Sequence, residues 1–107
     1  MKRGEIWTLR DKLYASKARP VVIIQNDDYN SFDSVILCLF TTYDSLDIKT
    51  RVLIEASPDN GLFKDSYVMT DKIVTVDKSI LGEFIGCLTI DEIEKISEQL
   101  KAILGLS

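Results

Sequence analysis

The stretch "RPVVIIQND", residues 19–27, sets four consecutive apolar residues between an Arg-Pro pair and a group of turn formers. Val21, Val22, Ile23 and Ile24 make a run too short for a free-standing helix and, being β-branched throughout, well suited to a pleated sheet. A continuous apolar run of that length predicts a strand buried on both faces rather than one with a wet side. Pro20 donates no amide hydrogen and pushes the residue before it into extended backbone, so Arg19 is expected at the rim of a rigid strand. Residue types alone leave Arg19 two readings: ordinary strand-edge punctuation in solvent, or a guanidinium held ready to meet an anion.

The flanking sequence has the same β character. "GEIWTL" (4–9) reads as a preceding strand and "RDKLYASKA" (10–18) as a polar, basic connection. "NDDYNSFDS" (26–34) is dense in turn formers, and "VILCLFTT" (35–42) returns to a buried strand whose polar end is Thr41-Thr42. A loop "YDSLDIKT" (43–50) leads to a further strand "RVLIEA" (51–56). Pro58 and Asn60-Gly61 mark a turn before "YVMTDKIVTV" (67–76), and "DKSILGEFIG" (77–86) is expected to hold a short helical turn.

The last segment changes period. In "LTIDEIEKISEQLKAILGL" (88–106), Ile93, Ile96, Leu100, Ile103 and Leu104 recur at helical spacing. Thr89 with Glu92 forms a capping box, Leu88 with Ile93 a hydrophobic staple, and Gly105 a stop. The helix is expected to dock on its own sheet. Five or so strands followed by one helix, with no linker or repeat, predict one small α+β domain over residues 1–107. Its sheet is expected to be a curled antiparallel sheet or a partly open barrel.

Composition narrows the chemistry. The chain contains no histidine, which removes the commonest general base and metal ligand together. No Walker loop or dinucleotide fingerprint is present, and the five glycines are scattered singly. The two cysteines, Cys38 and Cys87, are too few for a disulfide framework and are expected to be buried, reduced and structural. The start "MKRGEIWTLR" lacks the apolar core of a signal peptide, and no run approaches the length of a membrane span; a cytoplasmic location without a membrane partner is the expectation. The net charge is −4, yet residues 1–19 carry six basic and two acidic groups, so the remainder is strongly acidic. A basic patch on an acidic body suits a polyanionic ligand and a second partner of opposite charge; a mixed solvated surface explains the charge equally well.

Arg, Thr, Ser, Lys and Asp remain, and phosphodiester cleavage in RNA suits them. The nucleophile there is the substrate's own 2′-hydroxyl, so the protein need only hold the phosphate, stabilise developing charge and help move two protons. Arg19 and Thr41, both at expected strand ends, offer a planar donor fork and a hydroxyl.

"RGEIW" (3–7), "RPVVIIQND" with Asn30 (19–30), "FTT" (40–42), "NGLFKDS" (60–66) and "DKIVTVDKS" with Leu81 (71–81) occur in the order and spacing of one family. On these motifs the chain resembles the MazF/PemK toxins, the mRNA interferases of type II toxin–antitoxin systems, over nearly its whole length. The resemblance implies a small SH3-like (CcdB/PemK-like) antiparallel β-barrel with a C-terminal helix, working as a homodimer. It implies sequence-selective, metal-independent cleavage of single-stranded RNA without cofactors, leaving a 2′,3′-cyclic phosphate and a 5′-hydroxyl, and neutralisation by a cognate antitoxin. Carried over by position, it implies catalytic roles for Arg19 and Thr41, with Asp71 on the later β segment as a third candidate. Lys12, Lys17, Gln25, Asn26, Thr42 and Lys49 are the candidates for RNA contact. The chain departs from many members at Tyr14 to Ala18, where a Glu/Gln-Gly stretch is usual, and at Val74, where arginine is common. Two alternatives share the fold: a gyrase-targeting toxin of the CcdB type, which depends on a C-terminal tryptophan, and a member without catalysis. The sole tryptophan here is Trp7.

Overall fold

The computed structural model of the chain describes residues 1–10 and 18–106. The described residues form six strands, β1 (Glu5–Leu9), β2 (Arg19–Ile23), β3 (Ser34–Thr41), β4 (Val52–Ile54), β5 (Ser66–Asp77) and β6 (Leu81–Cys87), followed by helix α1 (Ile90–Leu104). They make one antiparallel sheet in the order β4-β5-β3-β2-β1-β6. The buried run Val21–Ile23 lies in the middle of that sheet and is covered on both faces, as its unbroken apolarity requires.

Two apolar layers flank the sheet. Ile6, Val22, Cys38, Ile54 and Val68 face α1 and pack with its Ile96 and Leu100. Val21, Ile23, Val35 and Leu37 face the other way, and no helix among the described residues packs against them, yet each is at most 1% exposed. They are covered because the sheet curls. Val74 and Val76 from β5 and Leu81 from β6 meet in that same layer, although three strands separate β5 from β6 in the sheet order. The short 3-10 turn Lys78–Ile80 carries the chain from one to the other, tied down by the bond from Arg10 N–H to Ile80 C=O at 3.1 Å. The result is a curled sheet with β4 and β6 at its two edges.

The sixth strand was hidden in the sequence. Residues 77–86 do hold the expected helical turn, but β6 begins at once after it. Two glycines and an exposed Glu83 dilute its β signal; at Gly82 a Cβ would collide with Thr8 Oγ1, which accepts a hydrogen bond from Glu83 N–H at 2.8 Å. Cys87, expected inside, is exposed, because it ends an edge strand where alternation turns it outward; Cys38 is buried in the core, and both are free thiols.

The helix follows its sequence signals closely. Thr89 Oγ1 accepts from Glu92 N–H at 3.1 Å, Glu92 Oε1 accepts from Thr89 N–H at 2.9 Å, and Gly105 ends the helix at φ 70°. Its stripe outruns its own sheet, however: Ile96 and Leu100 are buried, whereas Ile103, Leu104 and the following Leu106 are exposed. No helix of the described chain is long and apolar enough to cross a membrane.

Candidate active site

β2 and β3 run antiparallel, with Val21 opposite Leu39, Val22 opposite Cys38 and Ile23 opposite Leu37. Arg19 begins β2 and Thr41 ends β3, each two residues beyond the Val21–Leu39 pair, so both stand at the same end of one ladder. Side chains alternate along a strand, so Arg19 shares the face of Val21, and Thr41 that of Leu39. A groove of about 460 Å³ opens there, with Arg19 on its wall beside Leu9, Leu39, Met69 and Val74. Arg19 is exposed and Thr41 half-buried. The structure thus places Arg19 and Thr41 at one end of the same strand pair, Arg19 on the groove wall.

Thr41 is held by the chain that follows it. Its Oγ1 accepts the Tyr43 N–H at 3.1 Å, which leaves the hydroxyl hydrogen available to donate elsewhere. The next residues form an ordered loop. Ser45, fully buried, donates to Tyr43 C=O at 3.0 Å, and Asp44 accepts from Leu46 N–H at 3.1 Å and from the Tyr67 hydroxyl at 3.3 Å. The Asp44 interaction follows burial as a second cause that holds the Tyr67 phenol above its ordinary pKa.

Asp71 is placed differently. Cys38 and Leu39, neighbours on β3, pair with Ile73 and Met69, so Thr70, Asp71 and Lys72 bulge out of the β5 ladder. Thr70 turns inward and donates to Thr50 C=O, while Asp71 meets the guanidinium of Arg51: Nε to Oδ1 at 3.3 Å and Nη2 to Oδ2 at 3.4 Å. Arg51's hydrogen bonds hold the Asp71 carboxyl below the usual carboxylate range; partial burial opposes them. Arg51 also donates to Ser45 Oγ at 3.1 Å. Asp71 therefore serves an ion pair beside the loop after Thr41, and Arg51, which sequence reasoning missed, is its partner. The sequence shows only an arginine opening an apolar run and an aspartate interrupting a β-branched one, and nothing adjacent to either pairs the two.

The six RNA-contact candidates scatter. Lys12 and Lys17 lie outside the described residues. Thr42, exposed, adjoins Thr41; Lys49, exposed, borders a groove of about 490 Å³ between β4 and α1. Gln25 and Asn26 follow the opposite end of β2, on the order of 20 Å along the strand from Arg19. Their amides do structural work: Gln25 accepts from Ile36 N–H at 3.1 Å and donates to Tyr29 C=O at 2.6 Å, and Asn26 caps the 3-10 turn Asp27–Tyr29. The basic N-terminal segment is also partly spent on the fold, since Arg3 donates to Ile24 C=O at 3.0 Å and to Ser97 on α1.

Thiol chemistry has no place in the site. Burial, with a smaller contribution from the Asp71 charge, pushes the Cys38 thiol up to about 12, so it stays protonated. Among the described residues, no group of three or more Cys, Asp or Glu side chains is arranged to hold a metal ion.

Residues 2–104 match the family model of PemK-like, MazF-like toxins of type II toxin–antitoxin systems. The chain belongs to this family. It is 36% identical to a probable endoribonuclease MazF of Mycolicibacterium smegmatis, an alignment that takes in 100% of this chain and 99% of that protein. Among solved structures it resembles an endoribonuclease in complex with its cognate antitoxin from a mycobacterial species, at TM-score 0.85 and 30% identity, over 100% of this chain and 97% of the other. The Mycobacterium tuberculosis toxin MazF-mt6 superposes at TM-score 0.81 with 25% identity, covering 98% and 99% of the two chains. A MazE–MazF structure from Deinococcus radiodurans has the same fold, with TM-score 0.82 at 18% identity over 100% of this chain and 97% of that one.

Proposed function

We propose that this chain is a cytoplasmic endoribonuclease toxin, one domain over residues 1–107, that cleaves single-stranded RNA at chosen sequences and is neutralised by a cognate antitoxin. The observation that carries this reading is that Arg19 and Thr41 stand at the same end of the β2–β3 ladder, with Arg19 lining an open groove. The relatives named as endoribonucleases, one of them in complex with its antitoxin, support it. The curled sheet is read as the SH3-like barrel of this family, opened at the β4 and β6 edges.

In the mechanism, the substrate's 2′-oxygen attacks the adjacent phosphorus, the bond to the 5′-oxygen breaks, and a 2′,3′-cyclic phosphate and a 5′-hydroxyl result. The 2′-hydroxyl gives up a proton and the leaving 5′-oxygen takes one. The Arg19 fork meets two non-bridging phosphate oxygens, where negative charge grows in the transition state. The Thr41 hydroxyl donates to the same phosphate, its lone pair already engaged by Tyr43 N–H. The nucleophile comes from the RNA, so the chemistry asks for neither histidine nor thiol.

The toxin works as a homodimer. The exposed end of the α1 stripe, at Leu104, borders a groove of about 530 Å³ with Tyr29, Phe32 and Ile36, and these apolar side chains form the face for a second copy. Apolar surface gathered in this way marks an interaction site more often than a free one.

The decisive experiment incubates the purified chain with a long single-stranded RNA in EDTA and maps the new 5′ ends. Defined fragments with 5′-hydroxyls that vanish in Arg19→Ala support the nuclease. Intact RNA together with growth arrest on expression overturns it in favour of a toxin that binds without cutting.

A further inference from the structure

Between the β5 bulge and Thr41 runs a series of hydrogen bonds joined through the backbone of Tyr43. Arg51 donates through Nε and Nη2 to the Asp71 carboxylate, and through Nη1 to Ser45 Oγ at 3.1 Å. Ser45 can accept that bond because its own hydrogen goes to Tyr43 C=O, at 3.0 Å. The Tyr43 N–H, one residue unit away from that carbonyl, donates to Thr41 Oγ1. Ser45 is fully buried, and both its donor and its acceptor capacity are used. A buried hydroxyl satisfied on both sides has one orientation, and it passes that orientation on.

We propose that Arg51 and Asp71 are positioning residues for the Thr41 hydroxyl, acting through Ser45 and the Tyr43 backbone. This rests on the reading of Thr41 as phosphate donor. Neither residue need touch RNA: Arg51 side-chain exposure is 16% and its fork is committed to Asp71 and Ser45. An ion pair of this partial exposure contributes little to stability by itself. Its geometry matters more, because two groups on separate strands, β5 and the entry to β4, fix the loop of residues 42–50 between them. The bulge has a matching purpose. Freed from the β3 ladder by the bulge, Asp71 meets Arg51, which precedes β4 on the other side of β5. The assignment moves Asp71 from the reacting atoms, where the family resemblance put it, to the framework behind Thr41.

The test is a double-mutant cycle on RNA cleavage, Arg51→Met against Thr41→Val, with Asp71→Asn as a milder break of the same relay. Arg51→Met should lower kcat by roughly 10- to 100-fold while KM stays within about twofold, the pattern of a misplaced group rather than a lost RNA contact. In the Thr41→Val background the same change should cost no more than about twofold further. Asp71→Asn should lower kcat in the same way, by less, and Arg51→Lys should recover part of the loss. Unchanged kcat in Asp71→Asn, a loss confined to KM, or an undiminished loss in the Thr41→Val background would each overturn the proposal. A readout without RNA separates its fate from that of the nuclease reading: amide exchange at Tyr43. Exchange should quicken in Asp71→Asn, and an unaltered rate overturns the relay. If the wild-type chain cuts no RNA, the nuclease reading fails and the amide measurement alone decides.

Discussion

Replacing Thr41 with valine tests the site with the least disturbance to the fold. Valine keeps the β-branched shape that the end of β3 accommodates and deletes only the hydroxyl. In the folded protein that oxygen makes one bond, from Tyr43 N–H at 3.1 Å, in a half-buried position. Losing it costs about 0.5–1.5 kcal/mol, and the freed N–H has water within reach. For a domain of this size, at about 4–8 °C per kcal/mol, that is a fall in Tm of roughly 2–12 °C. A protein with about 5–15 kcal/mol of stability stays folded at 25 °C after such a loss. The expected effect on catalysis is larger, because removing one donor aimed at developing oxyanion charge lowers kcat by about 10²–10³. Thr41→Ser, which restores the hydroxyl but not the methyl, should return kcat to within about fivefold of wild type. The assay is initial rates on a fluorogenic single-stranded RNA at 25 °C, with Tm measured on the same preparations. If Thr41→Val cuts within about threefold of the wild-type rate while its Tm falls as expected, the hydroxyl contributes nothing to the transition state and the site has been misread.

Other consequences can be checked separately. Gly61→Ala should lower Tm by roughly 10 °C, since Gly61 sits at φ 70° and a Cβ there would strike the Ile85 carbonyl; a left-handed backbone alone costs about 1–2 kcal/mol. Thermal scans on the two proteins settle it. The Asp71 carboxyl has its pKa depressed by Arg51 hydrogen bonding, against partial burial and with the Lys72 charge as a small further aid. Its contribution is therefore fully present above the ordinary value of 3.8 and is lost as pH falls below it. The Tm difference between wild type and Asp71→Asn should shrink between pH 5 and about pH 2.5, and a constant difference would contradict the assignment. A thiol reagent at neutral pH should label the exposed Cys87 and spare Cys38 until the chain unfolds, as counted by mass spectrometry. Leu104→Glu, placing charge on the exposed end of α1, should convert a dimer to a monomer in light scattering without lowering Tm by more than a few degrees.

The parts of the fold that were legible in the sequence are those where local chemistry and tertiary demand coincide. The unbroken run Val21–Ile24 announced a central strand, and Thr89, Glu92 and Gly105 announced both ends of α1, because caps act within a few residues of chain. β6 was hidden for the opposite reason. Its glycines answer to contacts made by remote residues, Thr8 at Gly82 among them, and nothing adjacent in sequence states that requirement. Cys87 was misjudged as buried on the same ground, since whether a strand end faces solvent depends on edge position, which only the sheet order reveals.

The site divides along the same line. Arg19 and Thr41 were legible because each marks a strand end that a buried apolar run defines, and the register of two adjacent strands then sets both at the same end of the sheet. Arg51 was not, since its significance lies in what a three-residue bulge some twenty positions later presents to it. A bulge leaves little trace in composition: Thr70, Asp71 and Lys72 look like a polar interruption in a long strand. Residues that touch an anion must carry a recognisable head group, and so can be proposed from type and position. Residues that orient others through backbone and hydroxyl bonds have no such signature. Their role here is visible only where Arg51, Ser45 and Tyr43 close the path from Asp71 to Thr41, which puts the framework behind the Thr41 hydroxyl beyond any reading of the chain one segment at a time.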